Sequence, residues 1–165
     1  MNKRSRIHQI IRLAIITALY VTLTIVLSFM SYGNIQFRIA EILILLCFFR
    51  KDYSIALILG CAIANFFSPL GIVDVIFGTL ATAISVLFVM KSKNLVVASI
   101  FPVIFNGIII GLELYYVLSL PLLLSMASVA IGEAVVVMVL GNLIFFKLKK
   151  NANFLELIEA NQNCE

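Results

Sequence analysis

The chain of 165 residues is 63% hydrophobic and only 12% charged, with a net charge of +4 and a mean hydropathy of +1.16. A soluble domain carries about twice that share of charge, and apolar runs near twenty residues suit a helix crossing a bilayer. The composition excludes a separate soluble catalytic domain and points to an integral membrane protein folded as one bundle.

Six apolar segments follow one another along the chain. The first, roughly 11–31, comes after a basic start. Its apolar stretch exceeds the usual 7–15 residues of a signal core and ends in no small-residue cleavage site, so it is predicted to be a retained span. Within it Ala14 and Ala18 stand four apart, a spacing that lets two helix backbones approach closely. The second segment, roughly 36–49, is short and carries Arg38 and Glu41 near its start. The third, roughly 53–68, ends at Ser68-Pro69-Leu70-Gly71, a turn signal. The fourth covers roughly 73–90, the fifth 95–112 and the sixth 120–146. Residues 1–148 form the membrane domain, and the polar stretch 149–165 is expected to be a partly disordered cytoplasmic tail.

Basic residues decide the topology. They cluster at Lys3, Arg4, Arg6 and Arg12, at Arg50 and Lys51, at Lys91 and Lys93, and at Lys147, Lys149 and Lys150. With six spans all four clusters fall on one side, which the positive-inside rule makes cytoplasmic. Dropping the short second segment would strand the later clusters outside. The expected fold is an all-α integral membrane protein, a six-transmembrane-helix bundle with both termini cytoplasmic. Arg38 alone lies at the opposite end.

Charge inside a bilayer costs about 2.5–3.5 kcal/mol per residue even on the insertion scale. Four acids nevertheless lie in or beside the spans: Glu41, Asp74, Glu113 and Glu133. Glu133 precedes Phe146 by thirteen residues, about 20 Å at the helical rise. That depth makes it the expected central carboxylate. Arg38 and Glu41, three apart, share a helix face, either as an ion pair snorkelling at the interface or as part of a pocket. The embedded amides Asn65 and Asn106 favour the pocket. Four carboxylates against one guanidinium suit a ligand that is cationic or rich in N–H donors. Phe37, Phe66, Phe67, Tyr115 and Tyr116 are candidate stacking rings, although aromatics in spans more often face lipid or core. Tyr20, Tyr32, Tyr115 and Tyr116 are the candidate interface anchors, because the chain has no Trp. Cys47, Cys61 and Cys164 have no metal-ligand or redox spacing and read as small apolar filler.

The sequence has no phosphate-binding loop, no His-Glu-x-x-His and no nucleophile elbow. The only histidine, His8, lies in the basic N-terminal segment. No enzyme activity, cofactor, metal or nucleic-acid partner is expected, and transport would draw on an ion gradient or a separate ATPase.

The stretch ALILGCAIANFFSPLGIVDVIFGTLAT (Ala56 to Thr82), with IQFRIAEIL before it and NGIIIGLELYY and IGEAVVVMVLG after it, resembles the QueT family. These are substrate-binding S components of energy-coupling factor (ECF) transporters assigned to queuosine precursors, and the resemblance covers about 10–148. It implies six helices, an outward-facing pocket closed by the loop between the first two, and partners comprising a transmembrane coupling protein and two ATPases. Ala14 and Ala18 match the family's contact with the coupling protein. A precursor's 7-deazaguanine ring offers an N–H beside an exocyclic amine, and some precursors add a cationic side-chain amine. The ligand set this suggests is Arg38, Glu41, Asn65, Asp74, Asn106, Glu113, Tyr116 and Glu133, with Arg38 and Glu41 at the rim. Two rivals remain: an S component for a vitamin such as thiamine or riboflavin, or an ion-coupled carrier with Glu133 as its proton site.

Overall fold

The computed structural model describes residues 3–31 and 37–161, all of whose regular structure is helical. Helix α1 spans Lys3–Val26 and is followed by a short helical turn at Ser28–Ser31. Then come α2 at Ile39–Phe49 and α3 at Tyr53–Asn65. Helix α4 is Ile72–Val89, α5 is Leu95–Leu118, α6 is Leu122–Leu148 and α7 is Ala152–Leu157. Four helices are long and apolar enough to cross a membrane: α1 over Arg6–Val26, α4, α5 and α6. Helices α2 and α3 are apolar but shorter.

Helices α1 to α6 overlap the six apolar segments, but with different ends, and among the described residues only four of them are long enough to span. Helix α1 extends back at least to Lys3, since the basic segment contains no helix breaker. Helix α5 runs to Leu118, past the expected end at 112. Glu113 reads in the sequence as a boundary charge, but it is buried and the helix continues through it. Local chemistry sets the true ends. The Asn94 side chain accepts from Val96 N at 2.9 Å, a helix N-cap. At the other end Ser119 adopts a left-handed conformation, φ 54, and Pro121 follows.

The short α2 is the centre of the molecule. It packs against α1, α3, α4, α5 and α6. Ile44, Leu45, Cys47 and Phe49 are fully buried there. Seven residues, Ile39–Leu45, form a 3-10 helix before the α-helical turn Leu46–Phe49. Packed against five other helices, it presents little surface to lipid. The outer faces of α1, α4, α5 and α6 carry exposed Ile, Leu, Val and Phe side chains, as a lipid-facing surface requires.

Part of the tail is helical, Ala152–Leu157, and residues 158–161 dock on the bundle. Asn151 caps α7 by accepting from Asn153 N and Phe154 N. Phe154, Leu155 and Ile158 form an apolar stripe that packs on the core. The Tyr53 hydroxyl donates to Ile158 O at 2.9 Å, and Asn161 N donates to Phe49 O at 3.1 Å. Glu159 bridges Arg12 at 2.8 Å and Arg50 at 2.9 Å, and Gln9 and Arg50 both donate to Asp52. These contacts gather the start of α1, the α2–α3 turn and the tail at one end of the bundle. Cys164 and Tyr32 lie outside the described residues.

Candidate functional site

The interior of a bundle this apolar contains a continuous set of polar side chains, and helical spacing places them. On α4, Asp74, Thr82 and Ser85 face inward, eight and eleven residues on from Asp74. On α5, Ser99, Asn106 and Glu113 recur every seven residues, two turns apart and therefore on one face. Helices α4 and α5 are packed neighbours joined by a short turn, so their stripes run in opposite senses. Asp74 thus meets Glu113 in a shallow layer near the 66–71 and 119–121 turns. Thr82 and Asn106 fall deeper, and Ser85 and Ser99 deepest. Asn142 of α6 closes the deepest layer by donating to Ser99 Oγ at 2.8 Å.

Helix α2 delivers the other charges. Arg38 occupies the position before the 3-10 helix, with φ −80 and ψ 83, and its carbonyl accepts from Glu41 N at 2.9 Å. In a 3-10 helix side chains at i and i+3 eclipse, so the two project closely together. Neither snorkels. Arg38 is 3% exposed and Glu41 0%, which places them inside the protein rather than at a rim. Glu41 Oε1 accepts from the Tyr20 hydroxyl of α1. Thr82, Asn106 and Glu133 also lie within electrostatic reach of Glu41. Glu133, on α6 where the helix loosens into a π-helical stretch at Ala134–Gly141, is buried beside Glu41 and Asn106. Arg38 lies within reach of all four carboxylates.

Asn65 joins α3 to this cluster, donating to Asp74 O at 3.0 Å and to Cys61 Sγ at 3.4 Å. Ser68 donates to Asp74 Oδ2. The approach of Asn65 requires Gly78. A Cβ there would lie 2.3 Å from Asn65 Nδ2 and 3.4 Å from Arg38 Nη1.

Seven of the eight expected ligand residues therefore come together: Arg38, Glu41, Asn65, Asp74, Asn106, Glu113 and Glu133. Tyr116 does not join them. It is 75% exposed, with its ring against Tyr115 at 5.1 Å, because the last turn of α5 stands clear of its neighbours. Phe66, Phe67 and Tyr115 are exposed as well, while Phe37 packs on the core. Four residues of the site escaped the sequence reading. Tyr20, expected as an interface anchor, is 1% exposed. Cys61, expected as filler, accepts from Thr82 Oγ1 at 3.2 Å as well as from Asn65. Thr82 and Ser68 complete the set. A signal for Tyr20 existed: Thr17, Tyr20 and Thr24 lie three and four apart, a hydroxyl-bearing stripe on one face of α1. Ala14 and Ala18 lie on a different, exposed face of α1.

The unpartnered atoms are the most informative. Glu41 Oε2, Asn65 Oδ1, Asp74 Oδ1, both carboxylate oxygens of Glu113, Glu133 Oε2 and both amide atoms of Asn106 are buried without a hydrogen bond. A buried polar atom left unpaired costs about 1–3 kcal/mol. Seven of these eight atoms are acceptors, and they outnumber the donors that the buried Arg38 guanidinium brings to the same interior. Among the described residues no group of His, Cys, Asp and Glu could hold a metal ion.

Fold and site together define a multi-pass membrane protein with a polar, acid-rich site enclosed among its helices. The chain belongs to the QueT transporter family, whose model matches residues 10–150. It is 42% identical over 147 residues to the queuosine precursor transporter QueT of Lactococcus lactis subsp. cremoris (strain MG1363), covering 79% of this chain and 86% of that relative. No solved structure matches it.

Proposed function

We propose that the chain is the substrate-binding S component of an ECF-type importer in the plasma membrane. It captures a queuosine precursor, as 7-deazaguanine base or nucleoside, from outside the cell. In this reading all six helices α1 to α6 cross the membrane, the basic end is cytoplasmic, and a coupling protein with two ATPases supplies the energy. The name of the 42% identical relative supports the ligand class. The observation that carries the reading is the excess of buried, unpartnered acceptors on four acids around one guanidinium. A phosphate or dicarboxylate would find repulsion there, whereas a ring bearing N–H donors, with or without a cationic arm, would satisfy them. Arg38 and Asn106 add donors for a ring carbonyl.

The test is calorimetry on the purified protein with 7-deazaguanine bases, thiamine and riboflavin, together with mass spectrometry of co-purifying small molecules. Binding of a deazaguanine in preference to both vitamins is expected. Tighter thiamine or riboflavin binding overturns the ligand. Uptake into liposomes containing this protein alone, driven by a pH gradient, overturns the S-component reading.

A further inference from the structure

We infer that the two depths of the site read two different parts of one ligand. Glu113, in the shallow layer, accepts a pair of adjacent N–H donors with both its oxygens, while Glu41 and Glu133, in the deep layer, take a separate cationic group. This assignment rests on the proposed deazaguanine ligand and gives it a direction.

The four acids are not equivalent. One oxygen of Glu41 is held by the Tyr20 hydroxyl and one of Asp74 by Ser68. Glu113 is the only one of the four whose two carboxylate oxygens are both buried without a partner, and it is 0% exposed. Its neighbour Asp74, on α4, lies close enough to share a proton with it, which would occupy at most one of the two oxygens. Two coplanar acceptors on one group match two parallel N–H donors, the fork geometry by which carboxylates take guanidinium. A 2-aminopyrimidinone edge, a ring N–H beside an exocyclic amine, presents the same pair.

An independent observation fixes the second end. Asn106 is 2% exposed, and neither of its amide atoms makes a hydrogen bond of good geometry, although both Glu41 and Glu133 lie close to it. It lies seven residues before Glu113 on the same face of α5, about 10 Å deeper at the helical rise. That separation is comparable in length to a planar bicyclic ring with a short substituent. Beside Asn106 stand Glu41 and Glu133, each with an open buried oxygen. Arg38 is the cation within reach of this layer, and it also serves Asp74 and Glu113. The deep layer thus sets two carboxyls against one shared guanidinium, and a protonated amine on the ring substituent would pair with them.

The experiment is a functional-group cycle by calorimetry. The probes are 7-deazaguanine, the same base without its 2-amino group, and the base carrying a side-chain amine at position 7. The wild type should favour the 2-amino base over its deaminated analogue by about tenfold to a hundredfold, as for a hydrogen bond to a charged acceptor. Glu113→Gln should erase that preference yet keep the preference for the side-chain amine. Glu133→Gln should do the reverse. If Glu113→Gln does not fold, Glu113→Asp keeps the charge but retracts it, and the 2-amino preference should shrink several-fold. A 2-amino preference that survives intact at position 113, or vanishes in Glu133→Gln, overturns the assignment. A wild type that binds all three bases equally also overturns it while leaving the proposed function standing. A wild type that binds none overturns the proposed function itself.

Discussion

The Tyr20 hydroxyl on α1 donates to Glu41 Oε1 on α2, with both residues sealed from solvent. The ring is fixed from behind by α3: a Cβ at Gly60 would come within 3.1 Å of Tyr20 Cβ. The bond spares Glu41 one unpaired oxygen and leaves the other open. Tyr20→Phe keeps the ring and removes the donor. It should lower the stability of the empty protein by about 1–3 kcal/mol, the cost of an unsatisfied buried group. Adding Glu41→Gln to Tyr20→Phe should recover part of this, because the stranded charge is gone. Melting in detergent across the double-mutant cycle measures both effects. A Tyr20→Phe protein as stable as wild type would show that this bond contributes nothing.

Gly78 controls how closely α3 and α2 approach α4. A methyl there cannot coexist with Asn65 Nδ2 at 2.3 Å, so Asn65 must withdraw and lose its bond to Asp74 O. Gly78→Ala should therefore weaken ligand binding by about tenfold or more, since one buried hydrogen bond and the Arg38 position are disturbed together. Asn65→Ala in the same chain makes room for the methyl and should restore melting temperature without restoring affinity. Full affinity in Gly78→Ala would exclude Asn65 and Arg38 from the site.

The charged part of the site was legible because charge in an apolar run is conspicuous. Arg38, Glu41, Asp74, Glu113 and Glu133 each violate the composition around them, and the structure gathers all five. What escaped was polar chemistry that looks ordinary in a membrane helix. Thr82 and Cys61 differ from core filler only through their partners on other helices. Treating charge as a boundary also misleads. It cuts α5 at residue 112, when Glu113 is an interior residue with a turn of helix beyond it. The same residue makes Tyr116 look like a neighbour, although the helix end carries that ring away. The central role of α2 depends on contacts with five other helices, which no local pattern encodes.

The docked tail gives a prediction with a sign in pH. The hydrogen bond from Arg12, helped by the charges of Arg12 and Arg50, holds the Glu159 carboxyl below its ordinary range. A lowered folded value means the stabilisation is complete above the ordinary carboxyl range and fades as pH falls through the folded value. Glu159 is 54% exposed, so the contribution is at most about 1 kcal/mol. Wild type should lose its small advantage over Glu159→Gln as pH falls below about 4, and the two should melt alike at lower pH. Truncation after Lys150 should cost more, because it exposes the core beneath Ile158 and strands the Tyr53 hydroxyl. Its ligand affinity should remain intact. An advantage for wild type that grows on acidification, or a truncation that melts like wild type, would mean the tail is not held as described.

Orientation can be measured directly. By the positive-inside rule the basic clusters predict that the 90–94 turn lies inside the cell and the 119–121 turn outside. In a chain lacking the native cysteines, Leu120→Cys should react with an impermeant thiol reagent on whole cells, and Ser92→Cys should react only after the membrane is opened. Reaction of Ser92→Cys from outside would reverse or break the six-span arrangement.

In the proposed S-component reading, the outer face of α1 is the candidate contact for the coupling protein. Ala14 and Ala18 are exposed, flanked by exposed Ile7, Ile11, Ile15 and Leu19. The inward face is occupied: Leu13 and Ile16 pack on the core, and the Thr17 hydroxyl lies 3.0 Å from Ala56 O. Two small residues one turn apart on a free face let another helix come close. Ala14→Leu with Ala18→Leu enlarges that face without touching the interior, so melting temperature and ligand affinity in detergent should match wild type. Uptake in cells that supply the coupling protein and ATPases should collapse, because the partner helix is held away. Loss of ligand affinity together with uptake would place the two alanines in contacts within the bundle. Uptake that survives both substitutions would move the partner to another face.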